Sequence, residues 1–140
     1  MSAERFPISP TVSCGGMVYF PRMLDKIRLH LSGALPEVYE ANLGKAMDGW
    51  TCQFLRIDYQ KVREQITAGL EDDEALAWCF ENGRRPNEFE VQMFNEYMAK
   101  RGFRDDMTER LIWRKEEAGA SERDDIQTFF DYIDFDEGRR

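Results

Sequence analysis

Histidine is almost missing from this sequence: His30 is the only one, and the three cysteines, Cys14, Cys52 and Cys79, are widely separated with no Cys-x-x-Cys pair. A metal site built from converging histidine and thiolate ligands therefore has no framework here, and an odd, scattered set of cysteines fits a reducing compartment rather than a disulfide scaffold. Long apolar runs are lacking as well. No stretch approaches the roughly 20 apolar residues that a membrane-spanning helix needs, and the opening "MSAERFPISP" has neither an apolar signal core nor a twin-arginine pair. These absences lead to the expectation of a cytoplasmic protein without membrane contact, resident metal or cofactor.

Strand-length runs rich in valine and isoleucine are also absent, as are internal repeats. What is present is a chain of 140 residues, 42% hydrophobic and 13% aromatic. A single domain of that length buries roughly 68 to 70% of the surface its unfolded chain exposes. The charge is lopsided: residues 1–70 carry 8 basic and 7 acidic side chains and residues 71–140 carry 11 and 20, so the halves are +1 and −9. Such an acidic balance argues against nucleic-acid binding, which needs a basic stripe to neutralise phosphates.

Local signals divide the chain into helices. Residues 1–16 read as an extended, irregular lead, broken by Pro7, Pro10, Gly15 and Gly16. Pro21 suits a first helical turn and Gly33 a helix end, which predicts a helix over Pro21–Ser32 with Met23, Leu24, Ile27 and Leu31 on one face and Arg22, Lys26 and His30 along its edge. A short helix is expected around Glu37–Leu43 and another near Asp48. Asp58 and Asp72 are candidate N-caps of two further helices, stopped at Gly69 and Gly83. In "RRPNEFEVQMFNEYMAKRG", the residues Phe89, Met93, Phe94, Tyr97 and Met98 predict a helix with a broad, buried apolar face, ended by Gly102. Asp106 with Glu109, and Ser121 with Asp124, resemble capping boxes that open two more helices. Residues 121–140 then form a C-terminal amphipathic helix and tail. The expected architecture is a single compact all-α domain spanning residues 1–140.

Gly15-Gly16, the run Arg22-Met23-Leu24-Asp25-Lys26, Asp48, Phe54-Leu55 and the Ala77-Trp78 helix resemble a bacterial family designated domain of unknown function 5069. The resemblance covers most of the chain. Its distinctive part is the glycine pair followed by Arg-Met-x-Asp-Lys, although Cys14 stands where the pattern has leucine. It implies a compact bacterial helical domain and brings no activity with it.

The chemistry that the residues suggest is binding. Arg22, Lys26 and His30 on successive turns above a glycine loop could hold a phosphate or carboxylate between side chains and backbone N–H groups, and the competing reading is a solvated helix edge with Asp25 paired to Arg22 or Arg28. Gly15, Gly16, Arg22, Asp25, Lys26, His30, Asp48 and Arg84 form the candidate ligand-binding set. His30 as a general base and Cys14 as a nucleophile both lack a partner that spacing singles out. "DYIDFDE" lacks the glycine and terminal glutamate of a calcium loop, and Gly44-Lys45 lacks the rest of a phosphate-binding loop. Arg84, Arg85 and Trp50 are of the types that anchor interfaces. The acidic last helix could dock in a partner's basic groove or pack on its own domain. The expectation is a helical binding or regulatory module for a protein partner or a small anionic ligand. The alternative is an enzyme with a site near the Gly-Gly loop, using Arg22 and Lys26 for substrate charge and Asp25, His30 or Asp48 for proton transfer.

Overall fold

Gly15 and Gly16 turn the chain back on itself with positive φ values of 57° and 85°, the geometry that two-residue hairpins favour and that side chains resist. The result is a small antiparallel hairpin, β1 (Ser13–Cys14) and β2 (Met17–Val18), which pairs Ser13 with Val18 and Cys14 with Met17. It lies where the sequence predicted only an irregular lead. The computed structural model describes residues 3–140, and the other regular elements of that span are helices joined by turns: α1 (Phe20–Ser32), a 3-10 helix (Glu37–Asn42), α2 (Met47–Leu55), α3 (Tyr59–Thr67), α4 (Asp72–Asn82), α5 (Glu88–Lys100), α6 (Thr108–Glu117) and α7 (Phe129–Asp136). Among these residues no helix is long and apolar enough to cross a membrane.

Helix α1 runs through the middle. Phe20, Met23, Leu24 and Ile27 are fully buried and pack in one cluster with Leu55 of α2, Val62 of α3, Cys79 of α4, Met98 of α5 and Phe130 of α7. A helix enclosed on so many sides buries more than one apolar stripe. Consequently Arg22, Lys26 and Leu29 are buried too, whereas Leu31, expected on the core face, is exposed.

Several caps differ from expectation by a residue or more. Asp58 caps α3 as read, accepting from Gln60 N at 2.8 Å. Helix α4 is instead capped by Glu71 in a reciprocal box with Glu74, which places Asp72 inside the first turn. At α6, Asp105 rather than Asp106 accepts from Met107 N at 2.8 Å, and its own N–H donates to Thr108 Oγ1; Asp106 turns to Arg101 at 2.8 Å. Helix α7 starts at Thr128, not at Ser121, because the intervening residues form turns whose Arg123 and Ile126 carbonyls accept from Lys115 Nζ at 2.8 and 3.0 Å. This turn drives Ile126 into a small core with Leu111 and Ala120.

One glycine is needed for space. A Cβ at Gly83 would lie 2.1 Å from the carbonyl oxygen of Leu55, because the chain leaving α4 passes against the end of α2, where Arg84 N donates to that same oxygen at 2.9 Å. Backbone cannot yield as a side chain does. Gly83→Ala is therefore expected to lower stability by about 1–3 kcal/mol, measured as a shift in the urea unfolding midpoint.

Candidate functional site

The polar stripe of α1 faces inward. Tyr19, Arg22 and Lys26 are separated by three and four residues, so they project from one side of the helix, and each finds a partner on another element. Tyr19 enters the helix with a left-handed backbone, φ 71°, an arrangement costly for a bulky residue. That turn positions its hydroxyl beside Lys26.

Asp48, in the first turn of α2, is the acceptor at the centre. Its Oδ1 receives the Tyr19 hydroxyl at 2.6 Å and lies 2.9 Å from Lys26 Nζ, while Oδ2 accepts from Gly44 N at 3.0 Å. Lys26 Nζ also donates to Tyr19 Oη at 3.1 Å. Asp48 is 0% exposed, and its position near the positive end of α2 suits a carboxylate. Burial pushes the Lys26 ammonium below its ordinary value despite the pull of Asp48. Burial, reinforced by the Asp48 charge, pushes the Tyr19 hydroxyl well up. Nearby Tyr59 is pushed up to about 12 by burial and by Asp48, and its buried hydroxyl has no hydrogen-bond partner.

One turn earlier, Arg22 makes a paired contact with Glu137 at the end of α7, Nη1 to Oε1 at 2.8 Å and Nη2 to Oε2 at 2.7 Å. Tyr39 of the 3-10 helix donates to Oε2 at 2.6 Å, and Arg139 donates to Oε1 at 2.7 Å. Arg22 also reaches the carbonyl of Ile8 at 3.1 Å, and Arg139 that of Pro7. Burial pushes the Glu137 carboxyl up, but its hydrogen bonds and the Arg22 charge outweigh that, and the net result lies below its ordinary value. The lead and the C-terminal end are thereby fastened to the same helix.

The other members of the candidate set lie apart. Gly15 and Gly16 face Leu76 and Val91, on α4 and α5. Asp25 is held by Arg5, with two contacts of 2.9 Å, and by Ile8 N at 2.8 Å, not by Arg22 or Arg28; Arg28 pairs with Asp72 at 2.7 Å. His30 sits at the end of α1 with Nδ1 3.6 Å from Glu40 Oε1. Arg84 stacks over Phe54 at 4.5 Å, donates to the Phe54 carbonyl and pairs with Glu90 at 2.8 Å. The structure thus brings Lys26 and Asp48 into contact and gives Arg22 a different carboxylate. Tyr39, Glu137 and Arg139 were not singled out from sequence.

Chemically, this arrangement neutralises itself. Arg22 and Lys26 each meet an internal carboxylate, and a tyrosine that donates into a carboxylate is held protonated, the opposite of what a general base needs. Two grooves open at the surface: one of about 330 Å³ is lined by Cys14, Gly15, Leu76, Phe80 and Arg85, and one of about 460 Å³, which borders the Glu137 cluster at Arg139, by Arg5, Asp25, Arg28 and Asp72 as well. Among the described residues, no group of three or more histidine, cysteine, aspartate or glutamate side chains converges as a metal site would require.

Residues 4–139 match the family described as Domain of unknown function (DUF5069). The chain belongs to this family. No curated protein matches it.

Helix α5 of this DUF5069 domain leaves a row of apolar side chains exposed. Phe94 and Met98 are buried as predicted, but Phe89, Met93 and Tyr97, four residues apart on one side, are 67%, 56% and 48% exposed. The expectation of one broad buried face is corrected here. Asn95 is the cause: it turns toward the hairpin, accepting from Val18 N at 3.0 Å and donating to the Gly16 carbonyl at 2.7 Å. That pairing fixes the rotation of α5 and directs the Phe89 stripe outward. Trp50 of α2 borders the stripe, packed edge-on against Tyr97 with ring centroids 5.9 Å apart.

Proposed function

We propose that this DUF5069 domain is a bacterial cytoplasmic binding module that docks a protein partner on the outward face of α5. The observation that carries the reading is the stripe of Phe89, Met93 and Tyr97, three large apolar side chains exposed at helical spacing. Isolated exposed apolar residues are ordinary, whereas an aligned set suits a helix-in-groove partner, with the aromatic residues as anchors. The three cysteines, all free, support the cytoplasmic part of the reading. Because Arg22 and Lys26 are buried against Glu137 and Asp48, the reading favours a protein partner over a small anion at α1.

A photo-crosslinking residue placed at Met93 tests this in the native cell, with the same residue at exposed Lys61 as the control. The expected result is a discrete crosslinked protein from position 93, absent from position 61 and suppressed by Phe89→Asp. Equal labelling from both positions, or a product indifferent to Phe89→Asp, would contradict it.

A further inference from the structure

The N-terminal lead is held in the manner of a bound peptide. Residues 3–9 form no regular element, and among residues 3–8 a single backbone hydrogen bond reaches another part of the chain, from Arg5 N to the Ala34 carbonyl at 3.2 Å. Side chains of the body hold the rest. Asp25 of α1 accepts from both terminal nitrogens of the Arg5 guanidinium at 2.9 Å and from Ile8 N at 2.8 Å. Arg22 donates to the Ile8 carbonyl at 3.1 Å, and Arg139 to that of Pro7. Pro7 is fully enclosed, whereas Phe6 and Ile8, on either side of it, are 46% and 40% exposed. Seating alternate side chains while the backbone between them is hydrogen-bonded is how extended peptides are recognised.

Little apolar surface fixes this segment, and segments with few buried apolar contacts open locally at less cost than global unfolding. The lead is also one wall of the groove of about 460 Å³, through Arg5, Phe6, Ile8 and Ser9, and Pro21, Asp25, Arg28 and Asp72 stand opposite. Its departure would widen a space that already exists and would strip Asp25 of the Arg5 and Ile8 donors. We infer that this cradle is a recognition site for an Arg-x-Pro segment of a partner protein, kept closed in the resting chain by its own Arg5-Phe6-Pro7. The lead is the template for the occupant: a guanidinium for Asp25, a proline ring for the enclosed seat, and carbonyls for Arg22 and Arg139. A segment supplied in trans competes with the one in cis, so the site answers only to a partner that displaces the lead. It is separate from the α5 stripe and does not rest on it.

The probe is a fluorescein-labelled peptide of the lead's own sequence, ERFPISP, followed by fluorescence anisotropy. Arg5→Ala/Pro7→Ser, made in the full chain, loosens the resident lead and leaves the cradle residues in place. That variant is expected to bind the peptide saturably and at least about tenfold more tightly than the wild-type chain, whose own lead competes. Replacing the peptide's arginine by alanine, or adding Asp25→Asn to the variant, is expected to weaken binding by about tenfold or more, since a paired charge-assisted contact is lost. An unchanged far-UV spectrum shows that the variant folds. Hydrogen exchange of the wild-type chain gives a second reading that needs no variant: the Ile8 amide exchanges by local opening, ahead of the Ile27 amide in the enclosed part of α1. Absence of saturable binding to the folded variant, equal affinity for the alanine peptide, equal affinity of the wild-type chain, or exchange at Ile8 only together with Ile27 would overturn the proposal. So would a wild-type dimer that Arg5→Ala/Pro7→Ser dissolves, which would give the cradle to a second copy. None of these readouts involves the α5 stripe.

Discussion

Lys26→Met lowers the unfolding free energy by about 3–5 kcal/mol, because it leaves the Asp48 carboxylate buried without its counter-charge. The magnitude follows from location. Asp48 is fully enclosed, and after the substitution only the Tyr19 hydroxyl and Gly44 N–H still donate to it. Those two neutral donors do not replace an ammonium 2.9 Å away. The accompanying double variant, Lys26→Met/Asp48→Asn, recovers part of the loss, since no charge is stranded: the amide oxygen accepts from Gly44 N, and the amide N–H donates to the Tyr19 hydroxyl, which has lost its Lys26 donor. Urea unfolding of the two single variants and the double measures the coupling directly. A loss below about 1 kcal/mol in Lys26→Met would place the lysine outside the stabilising network, because values that small are typical of exposed pairs.

The second large effect is at the other end of the stripe. Glu137→Gln strands the Arg22 guanidinium, and a loss of about 3 kcal/mol is expected, at the lower end for a broken buried pair because the Ile8 carbonyl still accepts from Arg22. The same pair predicts an acid dependence. Glu137 titrates below its ordinary 4.5 in the folded chain, so the unfolded chain binds the extra proton first as pH falls. Its contribution is complete above that ordinary value and is lost as pH drops through the depressed one. Unfolding midpoints measured across the acid range should therefore fall less steeply for Glu137→Gln than for the wild-type chain. Parallel slopes would show that Glu137 is not held ionised by Arg22, Tyr39 and Arg139.

Much of the fold was legible because local physics decides it. Pro21 and Gly33 mark the ends of α1, Asp58 caps α3, and Gly83 ends α4 where the reading placed them. The missed features depend on contacts distant in sequence. The hairpin at Gly15-Gly16 is too short to show an alternating pattern, and its outer edge is completed by Asn95, more than seventy residues away. The rotation of α5 depends on that same asparagine, so the apolar pattern of "EFEVQMFNEYMAK" could not tell Phe94 and Met98, which are buried, from Phe89, Met93 and Tyr97, which are exposed.

The polar stripe shows the same limit from the other side. Periodicity placed Arg22, Lys26 and His30 along one edge of α1, but the direction of that edge depends on how many neighbours surround the helix, and Tyr19, which completes the buried contact, was not part of the reading. Asp48 was among the candidates, and its contact with Lys26 pairs two residues of the set. Glu137 and Tyr39 carried no local signal, since a glutamate after an acidic helix and a tyrosine among glutamates look like surface residues until the chain folds them against Arg22.

These observations separate two uses of charge and apolar surface in one small domain. The charged residues that first drew attention fasten α1 to α2, to the N-terminal lead and to the C-terminal end. The apolar residues that looked like core include a stripe left outside. Native mass spectrometry of the protein purified gently from its own cells tests this division most directly, with wild-type compared against Phe89→Asp/Met93→Asp. The account predicts a wild-type adduct of protein-sized mass that the double variant loses while its own folded charge-state envelope is unchanged. A small-molecule adduct retained by the double variant would contradict it and return the search for a ligand to the interior of the helical domain.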